Sequence, residues 1–382
     1  MHPPSISVTI KQPLVTDTGI GFGSYTIQKY SHDINVFGGF ESANFTISDV
    51  PLDIEDWLYR GLGADIKVYS DALTSCWEGF VNTIKAQVGA LTITIGPLMD
   101  MANRVAVMYN GVENVEYPAI TIGQVRTTEK NDTTSQGKYG ILPKVLSASD
   151  CTEDEADGYA GTYLEKMKNP KVSQDWGSTK KGTPQLELSC LGYVHWLDFP
   201  YTDTDTGAQS SRQQIIDILA ATPNIAWLVF NTSHVDPYSD NDIVATEQEN
   251  DNQTGLSKIK SITSFGDSVY NRWLFGVYED FKAYYYQAPT AVEYRQNLGD
   301  SSNRIYTPAG GLVYPWNIRP GKWIEYADIL VGEAIPADLN NSMRFQFIES
   351  VKYTAPWGLQ LKGGEVDTLA QRMAQFGLGG TS

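Results

Sequence analysis

The stretch SCWEGFVNTIKAQVGALTITIGPL (Ser75–Leu98) decides the predicted fold. It consists of two runs rich in β-branched and aromatic residues that meet at Gly89, and residues 91–95 alternate between aliphatic and threonine side chains. A repeat of two is typical of a strand with one buried face. The stretch therefore predicts a β-hairpin with Trp-Glu-Gly (77–79) in its first strand, and it raises the question of what that hairpin pairs with.

The composition indicates a globular, β-rich protein with more than one packed unit. The chain has 382 residues, of which 41% are hydrophobic, 19% charged and 12% aromatic. This length exceeds one ordinary core, so two or three packed units are expected. Aromatic and β-branched side chains suit a pleated, half-buried surface, which favours strands.

The net charge of −17 excludes several classes of partner. Proteins that bind nucleic acid or anionic membranes need clustered Lys and Arg, and this sequence has no basic run. No apolar run approaches the ~20 residues of a membrane span, and the first residues lack the pattern of a signal peptide. We therefore expect a protein made in the cytoplasm, without a membrane anchor and without specific nucleic-acid binding.

Four regions follow from the order of strand-like and helix-like stretches. Residues 1–126 are strand-like, residues 127–230 contain helices and begin with a polar loop at 127–140, residues 231–255 form an acidic loop or arm, and residues 256–382 return to strands before a final helix. This order predicts a β block, a helix-bearing middle and a second β block.

Capping residues and apolar periodicity predict the clearest helices. Thr152 and Glu155 form a capping box at the start of one helix. A second helix is predicted from Ser211 to Ala221, with Ser211 as its cap, and a last one from Val366 to Phe376.

No arrangement of reactive groups predicts a catalytic site. Cys190 and His195 are five residues apart, which places them on opposite faces of an unbroken strand. Glu279 and Asp280 are neighbours in a strand-like stretch, so they cannot flank one glycosidic bond, and the sequence singles out no second acid. The three cysteines lack the spacing of a disulfide framework or a zinc site. We expect no catalytic, cofactor-binding or metal-binding residue, and a protein that is not an enzyme.

Several segments together have a family resemblance. They are Leu62–Asp100, with its aromatic-x-Gly motif, the capped helix of 154–170, and the later segments 186–202, 266–289, 313–328 and 344–361. Within the first segment the matching residues are Val68, Tyr69, Trp77, Glu78, Gly79 and Val81. In order, length and strand pattern the chain resembles the tail-tip or baseplate hub proteins of tailed phages. These are siphophage minor tail proteins, similar to the trimeric hubs of contractile-tailed phages.

The resemblance implies an architecture and a role. Such hubs form a homotrimer in which each subunit has two similar barrels, and the resulting pseudo-sixfold ring continues the tail tube. The expected fold class is therefore β-rich α+β, with one tube-type β-barrel domain in 1–126, a second in 256–382 and a helix-bearing domain between them. The implied role is that of a structural virion protein at the tail tip, through whose lumen DNA passes. The implied partners are sister copies, the tail tube or distal tail protein, the tape measure protein, and tail fibre or spike proteins.

The resemblance also gives the charge an interpretation. An acidic lumen repels the passing duplex and avoids the counterion release that holds DNA on basic surfaces. We expect part of the −17 on the inner wall, with Asp65 and Glu78 as candidate lumen residues. Trp77 is expected to pack in the barrel wall, and Gly79 to allow a close backbone approach or a bulge.

Two other kinds of function stay open at this point. A hexameric distal tail protein, or another tail ring component, needs only one tube barrel per chain. A carbohydrate-binding or glycan-hydrolysing protein is suggested by the aromatic and acidic residues alone. The number of barrels and the presence of a pocket with converging reactive groups distinguish these alternatives from a hub.

Overall fold

The computed structural model describes residues 5–9, 26–48, 54–69, 75–113, 120–177, 184–201, 209–223, 228–236, 243–244, 253–267, 271–297, 304–327, 345–355 and 357–364. Within these ranges the structure contains strands and α-helices in the following order along the chain. The strands are β1 (Ser5–Thr9), β2 (Thr26–Asn35), β3 (Gly38–Ser48), β4 (Asp65–Tyr69), β5 (Ser75–Val88), β6 (Leu91–Ile95), β7 (Arg104–Glu113), β8 (Ile120–Arg126), β9 (Lys130–Asn131), β10 (Pro143–Ser147), β11 (Val172–Trp176), β12 (Gln185–Gly192), β13 (Gln209–Ser210), β14 (Asn231–Val235), β15 (Ile243–Val244), β16 (Trp273–Val277), β17 (Lys282–Gln287), β18 (Val292–Asn297), β19 (Ile305–Tyr306), β20 (Leu312–Val313), β21 (Trp323–Ala327), β22 (Phe345–Thr354) and β23 (Gly358–Gly364). The helices are α1 (Ile54–Arg60), α2 (Thr133–Tyr139), α3 (Glu153–Met167), α4 (Ser211–Ala220) and α5 (Gly255–Phe265).

Seventeen of the described strands belong to one mixed sheet that joins the beginning and the end of the chain. Strands from the two expected barrel regions pair directly, since β2 pairs with β22 and β3 pairs with β16. The β-rich α+β class is confirmed. The described pairings form one sheet where the sequence predicts two barrels.

The first strand of the opening hairpin, β5, pairs with three other strands. One edge pairs with β4 along residues 75–80 and then with β6 along residues 84–88, while the other edge pairs with β12. The change of neighbour falls at Asn82, the extra residue of a β-bulge opposite Ser189 and Cys190. The bulge lets one long strand serve two neighbours on the same edge.

Gly79 lies where β5 passes close to the end of β12. A Cβ atom at Gly79 would lie 2.2 Å from the carbonyl oxygen of Leu191 and 2.4 Å from the ring of Trp77. Trp77 itself is fully buried in the core. The predicted close backbone approach at Gly79 and the predicted packing of Trp77 are therefore confirmed.

The main hydrophobic core combines side chains from distant parts of the chain. Trp57, Trp77, Tyr193, Tyr285 and Tyr353 are among its largest fully buried members. Because these residues come from the first, middle and last thirds of the sequence, the core crosses the expected division into separate β blocks.

A small α/β unit is inserted between β6 and β11. Its sheet contains β7, β8, β9 and β10, and α3 packs on it through Ala156, Ala160 and Leu164. The unit leaves and rejoins the large sheet at neighbouring points because β6 and β11 are paired, with Ile95 opposite Val172. The expected boundary after residue 126 therefore falls inside this unit, between β8 and β9, which both pair with β7.

The helix predictions are partly confirmed. α3 begins after Thr152, and the side chains of Thr152 and Glu155 form the predicted capping box. α4 lies where it is predicted, but its cap is Ser210 rather than Ser211. The Ser210 hydroxyl accepts a hydrogen bond from the backbone N–H of Gln213 at 3.2 Å. Ser211 is instead fully buried at the first helical position.

The predicted polar loop at 127–140 is wrong because this stretch contains β9 and α2. Its polar side chains make caps and tertiary contacts. Asp132 accepts a hydrogen bond from the backbone N–H of Ser135 at 2.8 Å, and the Ser135 hydroxyl donates to the Lys168 carbonyl at 2.5 Å.

Two predicted elements lie wholly or mostly outside the described residues. They are the last helix, from Val366 to Phe376, and the acidic arm, of which only residues 231–236, 243–244 and 253–255 are described.

We predict that Gly79→Ala destabilises the protein by about 3 kcal/mol because the added methyl group must displace backbone at Leu191. The matched control is Gly158→Ala, a helical position with open space around the added Cβ, where a gain of about 0.5–1 kcal/mol is expected. Urea unfolding monitored by circular dichroism measures both changes. Equal effects of the two variants would contradict the close approach at Gly79.

His32 is a buried titratable group in the middle of the large sheet. Its side chain is 0% exposed, its Nδ1 lies 2.7 Å from the Tyr30 hydroxyl, and it is opposite Tyr353 across β2 and β22. Burial, with a further contribution from the charge of Arg319, lowers the pKa of His32 from 6.5 to about 3. The imidazole is therefore neutral in the folded protein at physiological pH.

Acidification should weaken the fold through His32. Below about pH 6.5 the unfolded chain binds a proton at this position that the folded chain does not bind, so stability falls by about 1.4 kcal/mol per pH unit, down to the folded pKa of about 3. When the pH falls from 7 to 5, the free energy of unfolding of the native chain should decrease by about 2 kcal/mol more than that of His32→Phe. Urea unfolding of both proteins at the two pH values tests this, and parallel losses would refute it.

Candidate functional site

Asp65 and Glu78, the candidate lumen residues, are each only 1% exposed. Their assignment to the lumen is wrong, since both lie inside the protein. Strand register places Lys67 directly opposite Glu78, on the same face of the β4–β5 pair as Asp65. Tyr193, from the 3₁₀ turn after β12, and the turn Glu279–Phe281 cover this face.

These residues form an internal network that we call the Lys67 cluster, consisting of Asp65, Lys67, Glu78, Tyr193 and Asp280. The Lys67 Nζ lies 3.3 Å from Glu78 Oε2 and 2.9 Å from Asp280 Oδ1. The backbone N–H of Asp280 donates to Glu78 Oε2 at 2.9 Å. The Tyr193 hydroxyl donates to Asp65 Oδ1. The buried carboxylates therefore have both a cation and hydrogen-bond donors around them.

The turn that completes the cluster has an unusual backbone. Asp280 and Phe281 are consecutive non-glycine residues with φ values of 53° and 57°. A side chain in this left-handed region costs of order 1–3 kcal/mol, so such a conformation persists only where its surroundings fix it. Here the Asp280 backbone is fixed by Glu78, and the Phe281 ring lies 4.2 Å from the Tyr193 ring.

The electrostatics of the cluster favour the charged forms of Lys67 and Asp280. Burial alone would lower the pKa of Lys67, but the hydrogen bond to Asp280 and the charges of Glu78 and Asp65 outweigh it and raise that pKa above its usual value. The hydrogen bond from Lys67 in turn lowers the pKa of Asp280. The cluster thus holds the segment after β16 against the β4–β5 pair, and its polar atoms bond to one another across that contact.

We predict that Lys67→Met destabilises the protein by about 3 kcal/mol because it leaves the Glu78 carboxylate buried without its cation. Lys85→Met is the matched control. The Lys85–Glu187 pair is 2.8 Å long, but its side chains are 48% and 47% exposed, so a loss below about 1 kcal/mol is expected. The double variant Lys67→Met/Glu78→Gln should recover part of the loss. Chemical denaturation measures all three variants, and similar losses for the two lysines would disprove the role of the cluster.

Cys190 and His195 do not form a reactive pair. β12 ends at Gly192, so His195 lies in the following 3₁₀ turn, where its Nε2 is 3.4 Å from Glu41 Oε1. Interaction with His195 lowers the pKa of Glu41. Burial raises the pKa of the Cys190 thiol, which disfavours a thiolate. The argument from alternation along an unbroken strand does not apply, because the strand ends before His195.

Glu279 and Asp280 lie in a turn and not in the strand that the sequence suggests. Asp280 joins the Lys67 cluster, whereas Glu279 accepts a hydrogen bond from the Tyr284 hydroxyl at 3.1 Å. Glu279 also lines a pocket that contains a second acid, Glu293. The sequence did not pair these two acids because Glu293 lies in the next strand, β18. The three consecutive tyrosines of KAYYYQ were the only sign of an aromatic surface there.

An exposed three-stranded extension of the large sheet is formed by residues 84–88 of β5 together with β6 and β11, and we call it the outer ribbon. Register places Val88, Leu91 and Trp176 in one row across the ribbon, and Ile84, Ile95 and Val172 in another row on the same face. Ile84 is buried, but Val172 is 58% exposed and Trp176 is 76% exposed. The apolar face therefore continues from the core into solvent.

The opposite face of the outer ribbon is polar. It presents Lys85, Gln87, Thr92, Thr94, Ser173 and Asp175. All five residues of β11 are exposed, and among the described strands the only pairing register of β11 is with β6. Within the described part of the chain, the second edge of β11 thus presents unpaired backbone donors and acceptors.

The described residues contain neither a metal-binding cluster nor a membrane-spanning helix. No three His, Cys, Asp or Glu side chains in the described ranges converge as a metal ion would require. Among the described helices, none has the length and apolar character needed to cross a membrane.

Comparison with known proteins gives a distant structural likeness. No protein-family model matches the chain, and no curated protein matches it. Among solved structures, the chain is similar to "the tail protein from Neisseria meningitidis MC58", with 10% sequence identity, a TM-score of 0.42, and coverage of 95% of this chain and 97% of that chain. A TM-score of this size does not define a shared fold. The strand pairings and side-chain burial of the chain define a β-rich α+β protein with an exposed apolar ribbon.

Proposed function

We propose that the chain is a structural subunit of a phage tail tip, a hub that associates with copies of itself in a ring that continues the tail tube. The observation that supports this most directly is the outer ribbon, with its apolar face in solvent and a β11 edge that pairs with none of the described strands. The sequence resemblance to tail hubs supplies the expected copy number of three and the expectation of two tube-type barrel regions per chain.

The edge of β11 supports association through backbone pairing. An edge strand with free N–H and C=O groups is a template for another chain, and natural proteins usually shield such an edge with charge, proline or a bulge. β11, with the sequence VSQDW, has one charged residue, Asp175, and no proline. A sister copy that pairs with β11 would satisfy these groups.

The apolar face of the ribbon supports burial of side chains in the same contact. Contiguous exposed apolar surface on a protein marks an interaction site more often than an isolated exposed residue does. On this face Val88, Leu91 and Trp176 form one row, and Val172 lies in another row beyond Gln174. Val88, Val172 and Trp176 are all exposed. A contact that joins this face to a different surface of the next copy is heterologous, and such contacts generate closed rings when the rotation between copies closes.

The charge of the chain supports passage of DNA without capture. With 45 acidic and 28 basic residues, the protein offers DNA a net repulsion, and phosphate binding would require basic clusters. Since Asp65 and Glu78 are buried, the acidic residues that face the proposed lumen must be others. In this proposal the protein is part of the virion, and its neighbours are the tail tube or distal tail protein, the tape measure protein, and fibre or spike proteins.

We predict that Trp176→Asp prevents self-association because it places a charge in the apolar face of the outer ribbon. Tyr59→Asp is the matched control, since Tyr59 is a 69% exposed aromatic residue outside the ribbon. Light scattering after size-exclusion chromatography measures the mass, and negative-stain imaging shows whether the particle has a central hole. The native chain and Tyr59→Asp should form three-copy rings, and Trp176→Asp should be monomeric with an unchanged circular dichroism spectrum.

Other outcomes distinguish the alternatives. A six-copy ring would favour a distal tail protein or another tail ring component. A native chain that stays monomeric at high concentration, or rings that persist in Trp176→Asp, would refute the proposed interface. Turnover in a glycan-release assay would replace the structural role with an enzymatic one.

A further inference from the structure

We propose that the chain binds a neutral saccharide in a pocket beside β17, which we call the tyrosine pocket. Its volume is about 450 Å³, within the range of small-molecule sites. Its lining residues are Tyr278, Glu279, Tyr284, Tyr286, Pro289, Glu293, Arg319, Pro320 and Lys322. The pocket belongs to a single chain, so this inference does not depend on the proposed ring.

Strand alternation and glycines build the aromatic wall. Tyr284 and Tyr286 are two residues apart in β17 and share its half-exposed face, whereas Ala283 and Tyr285 point into the core. In β16, Gly276 lies opposite Tyr284 and leaves space for the Tyr278 ring, since a Cβ atom there would be 2.7 Å from that ring. Three tyrosines therefore surround one space on the sheet surface.

The rings are held in place before any ligand arrives. Tyr278 and Tyr284 meet edge to face, with centroids 5.5 Å apart and an angle of 82°. His234, from β14, stacks against Tyr284 at 4.5 Å and 18°. Fixed aromatic rings offer flat apolar surface at low entropic cost, and such surface suits the C–H faces of a sugar ring.

The polar groups of the pocket surround these rings. Glu279 accepts from the Tyr284 hydroxyl, and Lys322 pairs with Glu293. The Arg319 guanidinium donates to the Ser75 carbonyl at 2.8 Å, which fixes its position. Carboxylates accept and cations donate hydrogen bonds, so neighbouring sugar hydroxyls, which do both, find partners of either kind.

The Tyr286 hydroxyl is a hydrogen-bond donor that is available to a ligand. Among the described residues its hydroxyl has no hydrogen-bond partner, although it lies in the pocket wall. Burial, with the nearby charge of Glu293, raises the pKa of Tyr286 to about 12, so its hydroxyl stays protonated and able to donate. An unused donor beside an aromatic face is a feature that a saccharide hydroxyl would satisfy.

The charge balance of the pocket favours a neutral ligand. Its two carboxylates and two cations cancel, and the Lys322–Glu293 pair is internal. A charged ligand would have to compete with these existing partners and leave one of them unpaired, which is costly in a partly buried site. Uncharged hydroxyl groups add hydrogen bonds without disrupting the pairs.

A microarray of neutral and acidic glycans, followed by calorimetric titration with the neutral oligosaccharides that bind, tests this inference on the full chain. We expect binding to neutral glycans, an affinity at least about tenfold weaker in Tyr286→Ala, and a smaller loss in Tyr286→Phe, which keeps the ring and removes only the hydroxyl. Tyr59→Ala, an exposed tyrosine outside the pocket, should bind as the native chain does.

Three results would overturn the inference. They are no binding to any neutral glycan on the array, binding restricted to acidic glycans, and neutral-glycan binding that Tyr286→Ala and Tyr286→Phe leave unchanged. Circular dichroism and thermal melting of each variant show that it is folded. Ring formation by a chain that binds no glycan would overturn this site alone and leave the proposed hub role standing.

Discussion

The fold depends on the pairing of β5 with three neighbours at once. β4 and β6 share one of its edges on either side of the bulge at Asn82, and β12 occupies the other. Distant parts of the chain also contact this strand. The last third reaches it through Arg319, which donates to the Ser75 carbonyl, and through the Asp280 backbone, which donates to Glu78. The strand therefore joins local hairpin structure to contacts more than 200 residues away in sequence.

Local signals in the sequence were enough to predict the elements around this strand. The alternation in 91–95 predicted β6, and the Thr152–Glu155 spacing predicted the cap of α3, because both patterns act within a few residues. The misplaced cap of α4 shows the limit of such signals. Ser210 and Ser211 are adjacent and chemically equal, and only the burial of Ser211 at the start of the helix decides between them.

Long-range packing explains what the sequence did not predict. Strand alternation says that Asp65 and Glu78 share a face, but whether that face meets solvent depends on Tyr193 and on the turn of Asp280. The merging of the two expected β blocks has a similar origin. The pairing of β2 with β22 joins residues more than 300 positions apart. A local sequence pattern does not indicate which distant strand will pair with a given edge.

The outer ribbon connects the inserted α/β unit to the large sheet, and in the proposed ring it is also the contact with a second copy. It holds the inserted α/β unit, because the chain leaves the large sheet after β6 and returns in β11. Polar side chains on both faces would serve that role, as the polar face with Thr92 and Ser173 already shows. An exposed Trp176 adds nothing to the attachment of the inserted unit and raises the risk of non-specific association. Trp176 shares its row with Val88 and Leu91, on a strand whose described partner is β6, and in the proposed ring a second copy covers both this edge and this face.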